Sequence, residues 1–86
     1  MRVFFHKSFD RKYAKLRMGE RKKFTERIDL FLKDPYHPLL NNHALTGKYK
    51  GSRSISVTGD LRAVYDVVGK DAALFVAIDT HSNLYG

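Results

Sequence analysis

Residues 48–68, KYKGSRSISVTGDLRAVYDVV, decide the fold of this chain. Apolar and polar side chains alternate through two arms that are joined by Thr-Gly-Asp at residues 58–60. Ile55 and Val57 share one face of the first arm. One face of the second arm carries Leu61, Ala63, Tyr65 and Val67. Alternation of this kind around a glycine-containing turn predicts a β-hairpin with one buried face.

The same hairpin carries charged side chains whose functional groups suit a binding site. They are Lys48, Lys50, Arg53, Asp60 and Arg62. We expect one sheet face to gather them, which makes the hairpin both the centre of the fold and the floor of a site.

Length and composition narrow the classes of protein. A chain of 86 residues predicts one domain, residues 1–86, and its 43% hydrophobic content is enough to cover a sheet face with helices. The chain has no cysteine, which excludes disulfides and thiolate metal sites and favours a reducing cytoplasm. The charged N-terminus predicts no secretory signal, and no apolar run approaches the roughly 18 residues of a membrane span.

The net charge of +7 is concentrated at the front of the chain. Residues 1–27 carry ten Lys/Arg and three acidic residues, whereas residues 28–86 carry six of each. One interpretation is a solvated helix face that keeps a small protein soluble. The other is a surface for a polyanion such as RNA, DNA or an acidic protein segment.

Upstream of the hairpin, residues 2–6 read as a strand and Ser8 as the N-cap of a helix. The apolar stripe of that helix is Phe9, Tyr13 and Leu16, and Gly19 is expected to end it. A second helix is expected from about Glu20 to Asp34, since Pro35 disfavours helical backbone before it. Its apolar stripe is Phe24, Ile28, Phe31 and Leu32.

The remaining segments complete the predicted architecture. Residues 35–42 read as a loop pinned by Leu39 or Leu40, and residues 43–45 lead into the sheet. Residues 72–79 are apolar on both faces, as in a central strand. The prediction is an α+β fold, β-α-α-β-β-β, in which a small antiparallel sheet is covered on one face by an N-terminal helical hairpin. The other face is expected to be free for function.

The candidate chemistry is metal-free acid–base catalysis without a cofactor. His6, His37, His43 and His81 show no metal-ligand spacing, and no glycine-rich phosphate loop is present. Cleavage of RNA requires a base for the 2′-OH, an acid for the leaving 5′-oxygen and cations for the phosphorane charge. These groups are available on His43, His81, Asp60, Arg53, Arg62 and Lys50.

Each candidate also has a structural interpretation. Asp60 is a typical turn former, Arg62 can be a paired arginine, and Tyr85 can cover the edge of the core. His43 can be a surface or capping residue, and His6 and His37 are interpreted as structural.

Four short motifs occur in order along the chain. They are HALTG at residues 43–47, KGSR at 50–53, GDLRAVY at 59–65 and THSNLY at 80–85. They resemble H-x-L-x-G, K-G-x-R, D-x-[RL]-x-x-Y and G-T-H-x-x-L-[FY] of the RelE/ParE superfamily of bacterial toxins, and most closely the YafQ-type mRNA interferases. The resemblance covers essentially the whole chain.

This resemblance implies a type II toxin that acts as a ribosome-dependent endoribonuclease. It also implies a RelE-like fold, rRNA contacts by the basic helices and inhibition by an acidic antitoxin. The free toxin is expected to be a monomer and to form a higher-order complex with its antitoxin.

The resemblance assigns roles by position. His81 is implied as general acid, and His43 or Asp60 as the base or the group that orients it. Arg53 and Arg62 are implied as phosphate ligands, with Lys48 and Lys50 as further RNA contacts, and Tyr85 as a stacking platform.

Two positions depart from the YafQ pattern, and two alternatives from other functional classes stay open, of which Ser56 suggests the decayed toxin. Ser56 stands where that branch has another catalytic histidine, and Leu61 stands where it has tryptophan. One alternative is a ParE-like inhibitor of DNA gyrase that cuts nothing, although the presence of both His43 and His81 disfavours it. The other is a decayed toxin that only binds its antitoxin.

Overall fold

The computed structural model describes residues 1–85, and within them five strands and three helices follow one another as β-α-α-β-β-β-β-α. The elements are β1 Arg2–Phe5, α1 Lys7–Ala14, α2 Met18–Lys33, β2 His43–Ala44, β3 Arg53–Ser56, β4 Leu61–Val67, β5 Ala72–Thr80 and α3 His81–Tyr85. The α+β class is confirmed. The predicted order lacked two elements, the short β2 and the terminal α3.

The strands form one sheet in the order β1-β5-β4-β3-β2. β5 has a strand on either side, as its apolar pattern predicted. Its pairing with β1 is parallel, with Arg2 opposite Ala72, whereas the other pairs are antiparallel. The expectation of a wholly antiparallel sheet is therefore wrong for this pair, because α1 and α2 belong to the long connection that returns the chain to run alongside β1.

The central hairpin forms between β3 and β4, with Ile55 opposite Ala63. Its first arm is shorter than predicted. A 3₁₀ turn at Gly47–Tyr49 and a bend that closes through a hydrogen bond from the Ser52 N–H to the Tyr49 carbonyl occupy the predicted start of the strand.

One face of the sheet, here called the helix face, packs against α1 and α2 and forms the core. The buried core residues are Phe9, Phe24, Phe31, Leu40, Ile55, Val57, Leu61, Ala63, Tyr65, Ala73, Phe75 and Ile78. Phe75 lies among other aromatic rings, with centroid distances of 5.2–6.0 Å to Phe5, Phe9, Phe24, Phe31 and Tyr65. Leu40 pins the loop after α2, whereas Leu39 is exposed.

Two helix boundaries differ from the prediction. The N-cap of α1 is His6, whose Nδ1 accepts from the Ser8 N–H, while the Ser8 hydroxyl donates to the Val76 carbonyl. Gly19 lies inside α2. The break between the helices comes earlier, where the Arg17 N–H donates to the Glu20 carboxylate at 3.0 Å and so caps α2.

The opposite face, here called the second face, is only partly free. A row of cross-strand neighbours runs from His43 through Ser54 and Val64 to Ala77. Ser54 and Val64 are completely buried. The expectation of a free face was wrong over this region because α3 folds back onto the sheet, where the Tyr85 hydroxyl donates to Ser54 Oγ at 3.0 Å.

Candidate functional site

A cleft of about 580 Å³ lies between α3 and the segment that joins β2 to β3. Its lining residues are His43, Thr46, Gly47, Lys48, Tyr49, His81, Asn83, Leu84 and Tyr85. Four residues that the sequence predicted for the site therefore come together here: His43, Lys48, His81 and Tyr85. The cleft combines two imidazoles, an ammonium group and two phenol rings.

His43 has a defined tautomer because of its neighbour Asn41. The His43 Nδ1 lies 2.8 Å from the Asn41 carbonyl oxygen. A carbonyl can only accept, so Nδ1 carries the hydrogen and Nε2 of the neutral ring has a free lone pair. Asn41 adopts left-handed backbone at φ 45°, a conformation that asparagine tolerates better than most residues.

His81 begins α3 and is tied to the turn of the central hairpin. Its backbone N–H donates to the Asp60 carbonyl at 2.9 Å. Its ring meets the Tyr85 ring edge-on at 4.8 Å between centroids, and the Tyr49 ring meets Tyr85 at 6.1 Å. The aromatic groups of the cleft thus support one another, while the imidazole of His81 stays exposed.

Asp79, at the end of β5, fastens the start of α3. One carboxylate oxygen accepts from the Thr80 N–H at 2.8 Å and from Asn83 Nδ2 at 2.9 Å, and the other accepts from Lys12 Nζ at 3.1 Å. Burial by itself raises the pKa of Asp79. The hydrogen bonds from Asn83, Thr80 and Lys12 outweigh that effect, and the pKa lies below its ordinary value of 3.8.

We expect Asp79→Ala to lower the free energy of unfolding by about 1 kcal/mol at neutral pH, because the start of α3 loses the hydrogen bonds that the carboxylate accepts from the Thr80 N–H and the Asn83 side chain. Since the folded-state pKa is depressed, this stabilisation is present above the ordinary pKa and is lost as the pH falls through the folded-state value. Thermal melting of both proteins from acid to neutral pH measures it. A difference in stability that stays constant down to strongly acid pH would contradict the role of the carboxylate.

Arg53 lies apart from the cleft, so the expectation that one face gathers all the hairpin's charged residues was wrong. It pairs across the strands with Tyr65, on the helix face. Its Nε donates to Asn42 Oδ1 at 2.8 Å, and its guanidinium lies 5.4 Å from the centroid of the Tyr36 ring.

Arg62, Asp60 and Lys50 are also not among the residues that line the cleft. The Arg62 guanidinium donates to the carbonyls of Thr58, Gly59 and Leu61 at 2.8–3.2 Å, so it braces the hairpin turn. Asp60 and Lys50 are exposed. Asp60 contributes its backbone carbonyl to the position of His81.

Four further residues of the site were not predicted from the sequence: Thr46, Tyr49 and Asn83, which line the cleft, and Ser54, which accepts a hydrogen bond from Tyr85. Tyr49 had a detectable signal, since an aromatic residue between Lys48 and Lys50 is typical of nucleic-acid surfaces. Asn83 and Ser54 had none, because their roles depend on how α3 folds back.

Two general features of the described residues bear on cofactors and membranes. Within residues 1–85, no three His, Cys, Asp or Glu side chains are grouped so that they can hold a metal ion. None of the helices in that range is both long enough and apolar enough to span a bilayer.

In comparison with known proteins, one protein-family model matches the whole chain. Residues 1–86 match the family model described as "Bacterial toxin of type II toxin-antitoxin system, YafQ". Comparison with functionally curated proteins gave no match.

Several solved structures are similar over the whole length. YafQ from E. coli strain BL21(DE3) is 22% identical, with 100% of each chain covered and a TM-score of 0.78. The conserved hypothetical protein HP0894 from Helicobacter pylori is 27% identical, with 99% of each chain covered and a TM-score of 0.69. The E. coli DinJ–YafQ complex gives 21% identity, 100% of each chain and a TM-score of 0.69.

Proposed function

Because the family model spans the entire chain, this protein belongs to the YafQ family of type II toxin–antitoxin toxins, and from that premise we propose that it cleaves mRNA on the ribosome by acid–base catalysis. The resemblance found in the sequence is thereby confirmed at the level of the family. The observation that carries the proposed reaction is the cleft itself, which is lined by His43, His81 and Lys48 together with Tyr49 and Tyr85.

His43 is the proposed general base. Its Nδ1–H is engaged by the Asn41 carbonyl, so the lone pair of Nε2 is the group that can take a proton. Nε2 would remove the proton of the 2′-OH, and the 2′-oxygen would attack the adjacent phosphorus. This geometry favours His43 over Asp60, whose side chain is not among the groups that line the cleft.

His81 is the proposed general acid. Its proton would pass to the leaving 5′-oxygen as the P–O bond breaks, which gives a 5′-hydroxyl and a 2′,3′-cyclic phosphate. General acid or base assistance contributes typically about 10²–10⁴-fold to rate. Lys48 is the cation available in the cleft for the charge on the phosphorane, and Tyr85 or Tyr49 offers a ring on which a base can stack.

The decisive experiment is induction of the protein in bacteria with mapping of mRNA 5′ ends, while translation and DNA supercoiling are followed. New internal 5′-hydroxyl ends in translated mRNA are expected. Altered supercoiling without new ends would instead indicate a ParE-like gyrase inhibitor. If neither mRNA ends nor supercoiling changes, the protein is a decayed toxin.

The proposed partners follow from the charge distribution. Within residues 1–85, Lys12 is the sole Lys or Arg that pairs with a carboxylate, and the other basic residues of the helices are left un-neutralised by salt bridges. Such a surface suits rRNA contacts and an acidic antitoxin. E. coli YafQ has been solved in complex with DinJ, which supports an antitoxin partner here.

We expect association with the cognate acidic antitoxin to slow as salt rises, because steering between opposite charges is screened over about 8–10 Å at physiological ionic strength. Stopped-flow association rates across a salt series measure this. Hydrogen exchange on the complex should show protection of the cleft residues. A salt-independent rate and an unprotected cleft would together place inhibition at another surface.

A further inference from the structure

Outside the cleft, the exposed ring of Tyr36 forms an aromatic–cation pair with the half-buried Arg53. Tyr36 is 64% exposed, although it is a large ring, and the Arg53 guanidinium carbon lies 5.4 Å from its centroid. Tyrosine and arginine are the side chains on which unpaired RNA bases stack and to which phosphates bind. The pair therefore has the chemistry of a nucleotide-binding surface.

The guanidinium of Arg53 is held in place but not neutralised. Asn42 Oδ1 accepts from its Nε at 2.8 Å, and Asn42 Nδ2 in turn donates to the Tyr65 hydroxyl at 2.7 Å and to the Pro35 carbonyl at 2.8 Å. Within the part of the chain that the structure describes, Arg53 forms no salt bridge with a carboxylate. A positioned arginine without a carboxylate partner can bind a phosphate without first breaking an ion pair.

This pair and the cleft lie on the two sides of one short edge strand. β2 consists of His43 and Ala44 and is one of the two edge strands of the sheet. His43 lines the cleft, whereas its chain neighbour Asn42 holds Arg53 on the helix face. Ala44, the cross-strand neighbour of Arg53, is small and exposed, so the edge offers little obstruction between the two places.

We propose that Tyr36 and Arg53 form a second RNA subsite, which binds a nucleotide flanking the one held in the cleft. The base stacks on the open side of the Tyr36 ring, its phosphate binds the Arg53 guanidinium, and the strand crosses the β2 edge between the two subsites. The inference rests on the proposed endoribonuclease function and extends the same substrate path.

The test is binding of single-stranded 2′-O-methyl RNA, which cannot be cleaved because the attacking hydroxyl is blocked. Fluorescence anisotropy compares a labelled dinucleotide with a longer oligoadenylate. We expect Tyr36→Ala to weaken binding of the long oligomer about 5- to 100-fold, since one stacked base is lost, and to leave dinucleotide binding unchanged. Tyr36→Phe keeps the ring and should bind like the wild type.

Phe4→Ala is the matched control. Phe4 is 46% exposed and lies 5.6 Å from the guanidinium of Arg2, so it forms a similar pair, but on β1 at the far edge of the sheet. It should bind both RNAs normally. Equal loss in Phe4→Ala and Tyr36→Ala would overturn the subsite, as would unchanged binding of the long oligomer by Tyr36→Ala.

Two further outcomes separate this subsite from the proposed function. If wild-type protein generates new mRNA ends and Tyr36→Ala binds RNA normally, the subsite is wrong and the nuclease stands. If wild-type protein binds neither RNA and creates no mRNA ends, both are wrong. Weaker binding of the antitoxin by Tyr36→Ala, with RNA binding intact, would assign the surface to the protein partner and overturn the RNA subsite.

Discussion

His81→Asn should lower the rate of mRNA cleavage on translating ribosomes by about 10²–10⁴-fold and relieve growth inhibition, while the thermal melting curve stays close to that of the wild type. The imidazole is exposed in the cleft, and the contact that fixes it to the hairpin turn comes from its backbone N–H. The substitution therefore removes the proposed proton donor without opening the core.

His6→Asn is the matched control for that experiment. His6 caps α1 through Nδ1, and asparagine is itself a preferred N-cap residue, so the cap should survive. Its cleavage rate should equal that of the wild type. Near-normal cleavage by His81→Asn would remove His81 from the reaction. Equal loss in both variants would show that the effect is not specific to the cleft.

Phe75→Ala should be strongly destabilising, with a loss of about 3–5 kcal/mol in the free energy of unfolding. Its side chain is completely buried and neighbours five other aromatic rings from the helices and the sheet. Small domains have a total stability of roughly 5–15 kcal/mol, so this loss should leave much of the protein unfolded at growth temperature.

Phe4→Ala again supplies the comparison, now for stability. It removes the same atoms from a side chain that is 46% exposed, and we expect a loss below about 1 kcal/mol. Urea unfolding followed by circular dichroism measures both variants. A cost for Phe75→Ala similar to that for Phe4→Ala would mean that the aromatic cluster collapses readily around the missing ring, contrary to its packing.

The elements that could be predicted from the sequence are those with a repeating apolar pattern. The stripe that begins at Phe9 and the stripe that contains Phe24 and Phe31 correctly identified the two helices. The alternation around Ile55 and Ala63 correctly identified the hairpin and its buried face. These patterns are local, so one stretch of sequence is enough to recognise them.

The arrangement of the site could be predicted only in part. The pairing of β1 with β5 and the return of α3 depend on contacts between distant segments, which no local pattern records. The position of Arg53, in contrast, could have been predicted. Arg53 is two residues before Ile55 in the same strand, and side chains two residues apart lie on the same face, which here is the helix face. The expectation that one sheet face gathers the hairpin's charged residues did not take this alternation into account.

The parallel pairing of β1 with β5 also sets how late in synthesis the fold, and with it the cleft, can be completed. β1 pairs with β5, which is synthesised near the end of the chain. β5 also carries Phe75, a central residue of the core. Contacts of such long sequence separation form late in folding. A chain whose synthesis stops before β5 therefore has neither a closed core nor His81 and Tyr85. Prematurely terminated chains should therefore be neither stably folded nor equipped with the cleft.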